Sequence, residues 1–277
     1  LQQEIKMAKY LIFQLRGDLA SWGDIAVGEQ RPTLPFPTKS AILGLIAAAL
    51  GIKRNEEEKH RDLAKAVHYG VKVFLPEKEI ARYNNEFFNN KKTYSGGYMR
   101  DYHTIQSPSD IDIRLFMKKN GIVPESRYDE IQALKLGNSE GTILSFREYR
   151  LDAYYIVGFT LLQPIFVSIE QIQTALLHPK FHLYLGRKAC PLGWPLLPQL
   201  IDAEDIQSAI EQSDFKLDEV THYENFGLVQ QSNPGHFYIE HLGVSNLENG
   251  RFEEYRTLPR SRTRWQFDTQ YMRIIGA

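Results

Sequence analysis

Thr38, Lys39 and Ser40 sit inside RPTLPFPTKSAILGLIAAALGI (31–52), where a lysine stands beside the start of an apolar helix. Free amides at a helix N-terminus, the helix dipole and a neighbouring cation all favour a bound phosphate, and Arg31 lies close by in sequence. The TKS triplet is not a nucleotide-hydrolysing loop. Such a loop needs glycines to turn its amides inward, and Pro37 removes one donor. A well-capped helix start exposed to solvent explains the same residues equally well.

Tyr102 and His103, in DYHT, are the best catalytic pair. A histidine beside a tyrosine can take a proton from a ribose 2′-hydroxyl without a metal. The alternative is that both bind or pack, since such rings stack readily on bases. Arg147 and Tyr149 in FREYR, and Tyr184, Gly186, Arg187 and Lys188 in YLGRKACPL, combine phosphate-pairing cations with stacking rings. A glycine at 186 would let backbone approach a strand closely, while surface ion pairing is the bland reading of the cations.

Metal and nucleophile chemistry find little support. His178 and His182 are four apart, but Pro179 between them prevents a shared helical face, so no metal site is expected. Cys190 is the only cysteine, which excludes an internal disulfide and fits a small buried side chain better than a nucleophile. No G-x-S-x-G elbow is present.

The elements that must position these residues follow from hydrophobic patterning. Lys9 to Leu15 (KYLIFQL) reads as a strand, and Arg16 to Gly28 as a loop. Thr38 should cap a buried helix that ends at Gly51. A second helix is expected over 56–69 and a strand over 71–75. Residues 82–148 are polar, and two short β pieces, DYHTIQ and TILSFREY, bracket a polar interior with Lys118, Lys119, Asn120 and Gly121, as in a long hairpin or arm. YRLDAYYIVGFTLL (149–162) reads as a strand, and SIEQIQTALLH (168–178) as a helix capped by Ser168 and stopped by Pro179. FHLYLGRKA reads as a last strand, followed by a less regular tail with one short helix at 203–212. LQQEIK, ahead of Met7, is expected to add nothing to the fold. The order β-α-β, insertion, β-α-β places the chain in the α+β class with a ferredoxin-like sheet.

Bulk properties set limits. The chain has 277 residues, 43% of them hydrophobic and 24% charged, with 33 basic against 34 acidic side chains and a net charge of −1. No overall polyanion affinity follows, so any nucleic-acid site must be local. One such concentration is Arg251 to Arg264, with five arginines against Glu253 and Glu254. The longest apolar run, Ala41 to Leu50, is too short to span a bilayer, and a cytoplasmic protein is expected.

Taken in order, GDLASWG, RPTLPFPTKSAILGLIAAALGI, DYHT, TILSFREYRLDA and YLGRKACPL resemble the CasD family of type I-E CRISPR Cascade subunits, in the repeat-associated mysterious protein superfamily. The resemblance covers about residues 9 to 198, with a weaker trace at LPRSRTRWQF (258–267). It implies a ferredoxin-like (RRM-like) domain over 7–198, a thumb inserted at 82–148 and an irregular C-terminal extension over 199–277. It also implies a subunit that caps the 5′ handle of the CRISPR RNA (crRNA) without cutting it and needs no cofactor. The implied neighbours are a CasC-like backbone subunit and a CasA-like large subunit, with target DNA met through the complex and no membrane. Carried onto this sequence, the handle contacts are Trp22, Gly23, Arg31, Thr38, Lys39, Ser40, Tyr102, His103, Arg147, Tyr149, Tyr184, Gly186, Arg187 and Lys188. The competing function is a metal-independent endoribonuclease acting on precursor RNA, as in type I-C relatives, with Tyr102 and His103 as its catalytic residues. The insertion between DYHT and TILSFREY is longer here than in the family pattern.

Overall fold

β1 (Ala8–Arg16) is the strand expected from KYLIFQL, and Tyr10 through Arg16 are all buried. A strand is apolar along its whole length only when both faces of its sheet are covered. That is the case here: Leu11, Phe13 and Leu15 enter one core, while Tyr10 and Ile12 enter a second.

The computed structural model describes residues 7–74, 97–137, 141–152, 154–215, 235–242, 251–261 and 266–276. The chain divides into two compact units, Leu1–Asp24, Thr33–Met99 and Tyr149–Ala277 forming the first, and Ile25–Pro32 with Arg100–Glu148 the second.

In the first unit β1 is followed by the two-residue strand β2 (Leu19–Ala20), then α1 (Lys39–Leu50), α2 (Glu57–Ala66) and β4 (Val67–Phe74). β7 (Tyr154–Leu161), α5 (Ile169–Leu177) and β8 (Gln199–Ala203) make the second β-α-β half. The strands lie in the order β4-β7-β1-β8, each antiparallel to its neighbours. That is the split β-α-β arrangement expected from the sequence. Thr38 caps α1, its Oγ1 accepting from the Ala41 amide at 3.2 Å, and Gly51 ends it at φ 77°. Ile42, Leu43, Leu45, Ile46 and Ala49 of α1 pack with Ile172 and Leu176 of α5 in the larger core. Truncating Ile46 would remove about 2–5 kcal/mol.

Two sequence expectations fail here. FHLYLGRKA is not a strand. Tyr184 makes only an isolated bridge to Pro191, and the bonds Leu185 N–H to Cys190 O (2.7 Å) and Cys190 N–H to Arg187 O (2.9 Å) close a tight loop. The fourth strand is instead β8, past residue 198. The run 149–162 is also two strands, broken at Asp152, whose φ of 48° turns the chain.

Beyond β8, α6 (Ile206–Gln212) covers the sheet's second face with Ile206, Ala209 and Ile210, the short helix expected over 203–212. β9 (His236–Glu240) then pairs with β4, β11 (Gln266–Gly276) with β9, and β10 (Arg251–Ser261) with β11, extending the sheet to seven strands. β10 carries two register irregularities, after Tyr255 and after Pro259. The tail is thus regular in its described parts. Arg262 and Arg264 lie outside the described residues, as do residues 82–96 of the expected arm.

The second unit holds β3 (Gln30–Arg31), most of β5 (Tyr98–Ser107) and most of β6 (Gly141–Leu151). β5 and β6 pair, and β3 runs parallel to β6, setting Arg31 opposite Arg147. Between β5 and β6 stand two helices, α3 (Asp110–Asn120) and α4 (Arg127–Leu136), where the sequence reading expected the polar interior of a long hairpin or arm. Each begins with a reciprocal capping box, Ser109 with Asp112 and Ser126 with Asp129.

Among the described residues no helix is long and apolar enough to cross a membrane, and no group of three or more His, Cys, Asp or Glu could hold a metal ion.

Candidate functional site

Backbone hydrogen bonds draw three separate stretches of the first unit together. The Ser21 amide donates to Leu185 O at 3.0 Å, tying the glycine-rich loop to the 184–190 loop. The Trp22 amide donates to Thr33 Oγ1 at 2.8 Å, and the Leu34 amide to Trp22 O at 2.7 Å, tying the same loop to the approach to α1. Where these stretches meet the first turns of α1 there is a cavity of about 410 Å³. Its lining includes Gly23, Thr38, Ser40, Tyr184 and Gly186, five residues that the sequence reading had named.

Other named residues of this unit are placed differently. Lys39 is a correction. Its side chain is 5% exposed and its ammonium lies 2.6 Å from Glu240 of β9, itself 7% exposed. The buried cation is committed to that carboxylate rather than offered to a ligand. Trp22 is also a correction: it is 1% exposed and edge-on to Tyr155 with centroids 5.4 Å apart, so its ring belongs to the core. Tyr149 is 5% exposed, with the Arg187 guanidinium over its ring at 4.9 Å. Lys188 is exposed.

Gly186 is explained by the chain's own packing. At φ 83°, a Cβ there would lie 1.9 Å from Ser21 O, so the close approach it permits is to the glycine-rich loop and not to an RNA backbone. Gly23 is the opposite case. Its φ is not in the left-handed region and a Cβ would meet nothing within 4 Å, so no internal contact requires a glycine there.

The approach to α1 is held from the C-terminal strands through Phe36. Phe36, fully buried, stacks on Tyr238 at 4.2 Å and meets Tyr255 edge-on at 5.1 Å. Beneath them Tyr69 is buried, and burial first, then the Glu240 carboxylate, hold its phenol well above the usual range. Burial likewise pushes the Cys190 thiol up, against Arg187, consistent with an inert side chain.

Among the lining residues that the sequence reading did not place at a binding site, His182 and Phe267 carry rings. His182 was weighed only as a metal ligand with His178. Phe267 comes from β11, which reaches the cavity through a sheet extension that periodicity in a divergent tail did not reveal.

The second unit carries the remaining named residues. Arg31 is exposed, and its Nη1 donates to Gly28 O at 2.6 Å and Gln30 O at 2.9 Å. Tyr102 is 53% exposed with its ring 5.2 Å from Phe146, whereas His103 pairs with Asp101. Neighbours on a strand project to opposite faces. Tyr102 and His103 of β5 therefore do not converge on one reacting atom, and the acid–base pair considered above is split. Arg147 is half-buried on β6.

Residues 10–269 match the model of the family described as CRISPR-associated protein (Cas_Cas5). The chain is 30% identical over 204 residues to the CRISPR system Cascade subunit CasD of Escherichia coli (strain K12), covering 74% of this chain and 76% of that protein. Among solved structures, a chain of a CRISPR RNA-guided surveillance complex superposes with a TM-score of 0.51 at 20% identity, over 97% of this chain and 90% of that one. That last likeness establishes the mixed α+β fold.

Proposed function

The chain belongs to the CRISPR-associated Cas5 family, and from that premise we propose that it is a crRNA-binding subunit of a type I-E-like Cascade surveillance complex. It caps the 5′ handle without cutting it and anchors a CasC-like backbone subunit and a CasA-like large subunit, for RNA-guided recognition of target DNA in the cytoplasm. One observation carries the reading to particular residues. Three stretches far apart in the chain, at 21–23, 38–40 and 184–186, close around one cavity.

In this reading the handle engages Gly23, Ser40, Tyr184 and the Gly186 loop, with Lys188 and Arg187 beside it for backbone charge. Thr38 acts by capping α1. Arg31, Arg147, Tyr102 and His103 offer further contacts on the second unit. The endoribonuclease alternative has no geometric support, because strand alternation separates Tyr102 from His103.

The test is direct. Purified protein should bind handle RNA more tightly than a scrambled RNA of equal length, and the handle should stay intact in EDTA. Equal affinity for both RNAs would overturn the reading. Cleavage abolished by His103→Ala would transfer it to the nuclease.

A further inference from the structure

We infer that the cavity beside α1 takes one unstacked nucleobase of the bound strand, and not a phosphate. The inference rests on the RNA-binding reading above and specifies what this site holds.

The lining decides between the two. A phosphate pocket needs a cation or a convergent set of free amides. No Lys or Arg lines this cavity among the described residues: Lys39, beside Thr38 and Ser40, faces Glu240, and Arg187, beside Gly186, lies over the Tyr149 ring. The Thr38 side chain already occupies the Ala41 amide. What lines the cavity is aromatic and flat: Tyr184 is 37% exposed, Phe267 39%, and His182 is exposed too. From α1 come small residues, Ala41, Gly44 and Ala48, recurring at helical spacing along one face. They leave room that larger side chains would fill.

Rings and a smooth apolar wall suit a planar heterocycle, which stacks through its π-face whatever its identity. At the start of α1 the half-buried Ser40 hydroxyl, 3.0 Å from the capping Thr38 Oγ1, is a group that can meet a base edge. The volume, about 410 Å³, lies within the range of small-ligand pockets. Phe267 then becomes a binding residue, and β11 brings it there. The phosphates of the same nucleotide would stay in solvent, and Lys188, exposed two residues after Gly186 of the lining, can pair with them.

The experiment uses the full chain and handle RNAs carrying a single abasic site at each position in turn. For the wild type, one abasic position should weaken binding by roughly 5- to 150-fold, the range for one base–aromatic stack. Phe267→Ala should weaken binding of the intact handle comparably, and the same abasic site should then add nothing. The salt dependence of Phe267→Ala should match the wild type, since no ion contact is removed. Gly23→Leu, which fills the opening from a position with free space around it, should reproduce the effect without touching the sheet.

Three results would overturn the proposal. One is full affinity in both variants. A second is an abasic penalty that persists undiminished in Phe267→Ala. A third is a salt slope that falls by about 0.7 in that variant, which marks a lost phosphate contact. A wild-type protein that binds no handle RNA sinks the RNA reading itself and this proposal with it, and is recognisable as such before any variant is made.

Discussion

Replacing Lys39 by methionine separates the two readings of the TKS stretch. If Lys39 grips a phosphate, its loss weakens RNA binding and leaves the fold alone. The structure requires the reverse. Its ammonium and the Glu240 carboxylate are 2.6 Å apart with side chains only 5% and 7% exposed. Among the described residues a further hydrogen bond to that carboxylate, from the Tyr69 amide, is long at 3.4 Å. Removing the cation strands a buried charge, which costs about 3–5 kcal/mol. Against a total stability of roughly 5–15 kcal/mol, that is a large fraction. In a chain of this size each kcal/mol lowers the melting midpoint by roughly 2–4 °C. The double variant Lys39→Met/Glu240→Leu removes both charges and should restore most of the loss, because a buried ion pair replaced by apolar groups is often neutral or better. Thermal and urea unfolding of the three proteins, beside titration of handle RNA at several salt concentrations, make the assay. The double variant should bind handle RNA like the wild type with the same salt slope. A Lys39→Met protein that melts normally, yet loses about 0.7 from its salt slope, would refute the argument and restore Lys39 as a ligand.

The two glycines at the cavity make a matched pair. Gly186→Ala should destabilise by at least the roughly 1–3 kcal/mol of a strained backbone position, since its Cβ would also collide with Ser21 O. Gly23→Ala should stay within about 0.5 kcal/mol in urea titrations, and equal losses at both would contradict the packing described. Asp152→Asn addresses pH. Burial first, then the charge of Asp18, raise the Asp152 pKa above its ordinary 3.8, with Arg16 opposing. A carboxyl raised in the folded state contributes most below its unfolded value and loses that contribution as pH rises through the folded one. Asparagine tolerates the φ of 48° and carries no charge. The variant should therefore melt slightly higher at pH 7, by less than about 1 kcal/mol because the residue is exposed, and equally at pH 3. A lower midpoint at pH 7 would show that the pairing with Arg16 dominates.

The parts of the fold that sequence made legible are those set by local chemistry. Thr38 and Gly51 bound α1, Ser168 and Pro179 bound α5, and an unbroken apolar run marks β1. The misreadings have local causes as well. FHLYLGRKA alternates like a strand, but Gly186 in the left-handed region and the Leu185–Cys190 bond fold it into a loop. α3 and α4 announce themselves by S-x-x-D at 109–112 and 126–129, a signal that polar composition obscured. Lys39 is instructive in another way. Nothing near it in sequence reveals Glu240, 201 residues away, and only the pairing of β9 with β4 brings the carboxylate beneath α1. Non-local partners of this kind turn a plausible ligand into a structural ion pair.

The same extension of the chain covers one face of the sheet. Proteins with this strand order commonly stack bases on the open face of the sheet. Here that face carries Tyr10, Ile12, Tyr154 and Ile156, and α6 closes over it with Ile206, Ala209 and Ile210. Laying a strand across it would require α6 to lift. Exposing its two isoleucines alone would cost roughly 1.5–3 kcal/mol each, before counting Phe237, which is buried in the same cluster. Stacking on Tyr10 or Tyr154 would return only about 1–3 kcal/mol per base. The cavity beside α1 is already open and lined by rings, and needs no element to move. On the proposed function, an RNA that contacts this unit is expected at the loops around the start of α1, with the sheet as the platform that fixes them.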